Sequence, residues 1–291
     1  MILSQNKNIS KIYLILSAIF WIVLVILSSK SAIGTTHNPH IYKTESSVFL
    51  FFKNGLLSLF FTFILLYFRE KQRKTQIENF TDLIWNGFGS AAFSFIALIS
   101  IEQLSSFGGE NTLIHNRTFI NVIYHLNIIF IAIFVGKIFY VFKEMVLYHR
   151  SKKLQQTWRI YELLIYLSLV ISTLSLGFKN PFQITFLIIT IVFSLILSLN
   201  MKWVAYLNFK QKWRSILLIF LVLMIAASFM KYIHDHSKFT NHQKIYALND
   251  LLEQSFIIVL FIFITFYSIA SILVILFNLP CLLYTSPSPR D

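Results

Sequence analysis

The chain has 291 residues, 56% of them hydrophobic and 13% charged, and its 31 Phe add more apolar surface than a soluble core of this length can hide. Lys and Arg number 25 against 12 Asp and Glu, a formal charge of +13. Together these figures exclude a soluble domain and point to lipid, so nucleic acid, the first partner suggested by a basic soluble protein, is set aside.

Eight apolar segments follow one another, each near the ~20 residues a helix needs to cross a ~30 Å hydrocarbon core. They cover residues 12–28, 48–68, 82–101, 119–142, 160–177, 184–200, 216–230 and 255–277. The first and seventh are short and need their flanks. The expected fold is an all-α polytopic membrane bundle of about eight transmembrane helices, with seven or nine as the neighbouring counts. Segment 12–28 carries Trp21 near its middle and exceeds the usual signal-peptide core, which favours an uncleaved anchor.

Cations mark the sides. Lys7 and Lys11, the run REKQRK at 69–74, the stretch 143–159, and Lys202, Lys210, Lys212 and Arg214 place fifteen Lys and Arg on one side, against seven on the other. Short basic loops stay in the cytoplasm, so both termini are expected there, in a multi-pass protein of the cell membrane. The basic loops should also attract anionic lipid headgroups. Trp203, Tyr206 and Trp213 among those cations suit a headgroup belt, and a homodimer is compatible with the pattern.

Polar residues inside the segments are the place to look for function, because leaving them unpaired in hydrocarbon is costly. Lys53 and Lys137 lie near segment ends and are expected to snorkel to an interface. In the fourth segment Asn121, Tyr124 and His125 share a face by their spacing of three and four, an intramembrane polar cluster. It reads as an interhelical hydrogen-bond cluster, with a ligand contact or proton-responsive imidazole as the functional alternative. Gly87 and Ala91 stand at small-xxx-small spacing, with Gly89 between them, and let a neighbouring helix come close.

The loops offer less. HDHSKFTNH at 234–242 holds His234, Asp235, His236 and His242 without a recognisable zinc spacing. Asp250 and Glu253 stand at capping-box spacing before the eighth segment. No phosphate loop, nucleophile elbow or HExxH motif occurs, so residues 1–291 carry no assignable catalytic, cofactor or metal residue.

Residues 281–291, CLLYTSPSPRD, resemble translated sequencing-adapter sequence, and they hold the only Cys. They are expected to be a non-native tail on a membrane module of residues 1–280, with the true reading frame continuing past Pro280. Three stretches, NPHIYKTESSVFLFFKNG (38–55), KWVAYLNFKQKW (202–213) and VILFNLP (274–280), resemble the membrane module of a bacterial signalling family. In that family a multi-helix module precedes a cytoplasmic GAF-type sensor domain and a PPM-type serine/threonine phosphatase domain like the sporulation stage II protein E. The resemblance implies a membrane anchor or sensor module, with Mn or Mg held only by the output domain. A histidine-kinase sensor and a stand-alone small-molecule transporter are the competing readings.

Reporter fusions after Asn200 and after Lys238 should score cytoplasmic and external respectively. Both fusions on one side would refute the eight-segment topology.

Overall fold

The computed structural model describes residues 2–34, 47–74, 80–106, 117–148, 151–173, 181–237 and 255–278. Among them are eight α-helices and no strand: α1 (Ile2–Gly34), α2 (Ser47–Lys74), α3 (Phe80–Ser106), α4 (Arg117–Val146), α5 (Lys152–Thr173), α6 (Pro181–Ser198), α7 (Phe209–Ser237) and α8 (Ser255–Phe277). A short 3-10 helix, Lys202–Tyr206, joins α6 to α7. The protein is an all-α, multi-pass membrane bundle.

Sequence alone would let β-branched runs such as FLIITIVFSLILS in α6 pair as strands. In hydrocarbon an isolated segment satisfies its own N–H and C=O groups only as a helix, and this constraint overrides the propensity. Helix ends follow local chemistry. Pro181 opens α6, where the missing N–H costs nothing. At the start of α7, Asn208 Oδ1 accepts from Gln211 N at 2.9 Å while Gln211 Oε1 accepts from Asn208 N at 3.1 Å, a reciprocal cap. The expected cap at Asp250 and Glu253, and the tail from Cys281, lie outside the described residues.

Flanking residues do lengthen the first and seventh segments, since α1 has 33 residues and α7 has 29. Seven of the eight helices are long and apolar enough to cross a membrane, and α5 is the exception. Its first half carries Lys152, Lys153, Arg159 and Glu162, which dilute its apolar character. It still runs the height of its neighbours: Ser172 near its end meets Ser255, the first residue of α8, with hydroxyls 3.4 Å apart.

Contacts fix the directions. Phe68 of α2 meets Gly136 of α4, Phe134 of α4 meets Phe261 of α8, and Ser271 of α8 donates to Met201 just past α6. These four helices run the same way. The other four run against them, as shown by Tyr13 of α1 on Phe63 and Trp21 on His125, Gly87 of α3 on Val141 and Ile138, Trp158 of α5 on Phe139, and Lys212 of α7 on Asn278. The end holding Arg69, Lys143 and Lys212 is called the basic end below; Lys53 and His125 lie towards the far end.

Helix α4 is the centre, with 72% of its apolar window buried, whereas α1 has 11% buried and lies at the periphery. Ile12, Ile15, Ile19, Ile22 and Ile26 of α1 are exposed at helical spacing, a stripe that suits lipid. Small residues set the close approaches on α4. A Cβ on Gly87 would stand 3.2 Å from Val141, and Ala91 is buried, so the small-residue expectation holds there; a Cβ on Gly89 would meet nothing within 4 Å. The tightest approach is at Gly136, where a Cβ would lie 2.9 Å from the Phe68 ring.

Gly136→Val should therefore destabilise the bundle in detergent by ~1–3 kcal/mol through overpacking. Gly89→Ala should leave it unchanged or stabilise it by up to ~1 kcal/mol through helix propensity. Thermal unfolding of the purified variants checks both.

Candidate functional site

Polar side chains inside the bundle gather in two layers. Towards the far end, His125 on α4 is 1% exposed, and neither ring nitrogen has a hydrogen-bond partner. Its backbone carbonyl instead accepts from Trp21 Nε1 of α1 at 3.0 Å. Lys53 of α2 stands within electrostatic reach of the imidazole. At 5% exposure Lys53 is buried, which corrects the snorkelling expectation. The reason is register: Lys53 shares the face of Leu57, Phe60 and Ile64, all of which point into the bundle.

The helix hydrogen bond expected of His125 is made two residues later. Asn127 Nδ2 donates to the Tyr232 hydroxyl of α7, a buried contact between helices. The side chains of Asn121 and Tyr124 lie outside the described residues. Of the predicted trio only His125 is therefore described, and its ring nitrogens make no hydrogen bond.

The second layer lies towards the basic end and is centred on Glu162 of α5. Tyr140 of α4 donates to its Oε1 at 3.0 Å and Lys143 of α4 to its Oε2 at 3.1 Å. Arg69 of α2 stands 3.8 Å from Oε1, and the Tyr140 and Tyr166 hydroxyls are 3.3 Å apart. Lys143 also lies over the rings of Tyr140 and Trp158, at 5.2 and 5.9 Å from their centres. Beside this cluster Lys137 donates to Gln72 Oε1 at 3.2 Å, so it reaches towards the basic end as expected but ends on a protein acceptor.

Glu162 was readable in advance. A carboxylate three residues into the segment 160–177 is an intramembrane ionisable group, a signal of function or tight pairing. Its partners were not readable, because Arg69 and Lys143 sit 93 and 19 positions away and look like loop cations.

A third grip surrounds the end of α8. Trp203 of the 3-10 helix donates to the Tyr267 hydroxyl at 2.9 Å, and Lys212 donates to the Asn278 carbonyl at 3.3 Å. Trp203 is buried, which removes it from the expected headgroup belt; Tyr206 and Trp213 are exposed and fit it. Trp203 turns inward, where its indole N–H finds an acceptor on α8.

Among the described residues no group of three His, Cys, Asp or Glu is placed to hold a metal ion. His234 and Asp235 are exposed at the end of α7, and His242 lies outside the described residues. In comparison with known proteins, no family model, no curated protein and no solved structure matches this chain.

Asn127→Leu should destabilise the bundle by ~0.6–1.7 kcal/mol, the range for hydrogen bonds between membrane helices. His125→Leu should cost nothing, because the replaced imidazole makes no hydrogen bond while the Trp21 contact uses the backbone. Thermal unfolding of both variants in one detergent decides between Asn127 and His125 as the helix tie.

Proposed function

We infer that the bundle is the membrane anchor and sensor module of a bacterial signalling protein, joined beyond α8 to a cytoplasmic output domain of the PPM phosphatase type. The observation that carries this reading is the grip on α8. Two of the three stretches that carry the resemblance, 202–213 and 274–280, meet there through Lys212 and Asn278. Trp203 holds the same helix three turns earlier, at Tyr267. Any rearrangement of α6 or α7 is then transmitted to the helix leading to the output domain, a two-state element biased by a ligand or stimulus.

Residues 1–291 then have no enzymatic role of their own, and Mn or Mg belongs to the output domain. A stand-alone transporter is the second reading, favoured by the ionisable Glu162 within the bundle. Long-read sequencing across the codon for Pro280 is the test. The frame should continue into a region of several hundred residues, on the scale of two or more domains, and the extended product should hydrolyse phosphoesters with Mn or Mg. A stop codon directly after Asp291 would overturn the signalling reading, and flux in reconstituted vesicles would then favour transport.

A further inference from the structure

Arg69 carries a guanidinium that the neighbouring carboxylates do not saturate. Its Nε lies 3.7 Å from Glu70 Oε1 and its Nη1 3.8 Å from Glu162 Oε1, both beyond hydrogen-bond reach. Both Glu162 oxygens are already engaged, by Tyr140 and by Lys143. The Arg69 side chain is 38% exposed while that of Glu162 behind it is 12% exposed, so the fork lies at the surface where α2 packs on α5.

On the facing helix, Arg159, Glu162 and Tyr166 follow at spacings of three and four along one edge of α5. Arg159 is exposed and one turn nearer the basic end than Glu162. At this end Lys71 and Lys137 join Arg69, Arg159 and Lys143, so cations outnumber Glu70, Glu144 and Glu162. Arg69 stands three residues before Gln72, the last residue of its apolar window, which is headgroup depth. Beside Arg159 the surface of α5 turns apolar, with Leu163 and Leu167 exposed towards lipid.

We propose that this surface between α2 and α5 binds the phosphate of an anionic phospholipid in the leaflet at the basic end, with Arg69 and Arg159 as its ligands. A guanidinium fork matches two phosphate oxygens at once, a geometry that water and the distant carboxylates do not supply here. The exposed Leu163 and Leu167 give the acyl chain a path that a free phosphate would not use. The site goes beyond the sensor reading and does not depend on it.

Native mass spectrometry of the full chain, released from vesicles of mixed phosphatidylglycerol and phosphatidylcholine, tests the site. Wild type should retain phosphatidylglycerol over phosphatidylcholine, also with millimolar inorganic phosphate present. Arg69→Gln and Arg159→Gln should each reduce that retention on the order of tenfold, the equivalent of one charge-assisted contact, whereas Lys202→Gln, an exposed basic-end residue elsewhere, should not. Arg159 is exposed and makes no buried contact, so its variant reports on binding even if Arg69→Gln fails to fold. Equal retention of both lipids, an equal loss in Lys202→Gln, or undiminished retention in Arg159→Gln would overturn the proposal. Displacement by inorganic phosphate would assign the surface to free phosphate and refute the lipid.

Discussion

A carboxylate inside a membrane bundle needs cations and hydroxyls around it, and Glu162 is where this protein meets that constraint. Lys143 and Tyr140 from α4 hold its two oxygens, and Arg69 from α2 stands behind. Helices α2, α4 and α5 are thereby registered against one another. Helix α5, the least apolar of the eight, is tied to the bundle through this pairing.

The registration of α5 in turn builds the aromatic contact that supports α8. Trp158 and Tyr161 of α5 pack on Phe263 at 5.8 and 5.4 Å between ring centres, and Phe142 of α4 packs on Tyr267 at 4.6 Å. Between membrane helices the hydrophobic effect supplies no net attraction, so such dispersion contacts and the few hydrogen bonds decide the arrangement. Offset and edge-on rings each add ~0.5–1.5 kcal/mol to that packing. The position of α8 therefore depends on Glu162 through the rings of α5.

The two polar layers differ in character. The basic-end layer satisfies its buried carboxylate and leaves a guanidinium at the surface, whereas the far-end layer buries an imidazole with neither nitrogen engaged. An unsatisfied buried group is a local destabilisation that a bound molecule or a change of helix packing can relieve. The far-end layer can thus gain from an altered state, and α4, which spans both layers, connects it to the grip on α8.

The fold was legible in the sequence because hydrocarbon imposes one solution on each long apolar run: residues 255–277 and 48–68 became α8 and α2 with little change of bounds. Small residues were equally legible on Gly87, since spacing alone places it on the packed face. Pairing was not legible. Asn127 and His125 are two residues apart on the same helix, and only the position of α7 gives Asn127 a partner in Tyr232 while leaving the imidazole without one. Likewise Lys53, Trp203 and Arg69 read as interface residues from their local sequence, and their burial or engagement was decided by which helix lay opposite. Composition and periodicity specify each helix by itself through its solvent; the partners of its polar side chains are long-range contacts, and these exist only once the helices have packed.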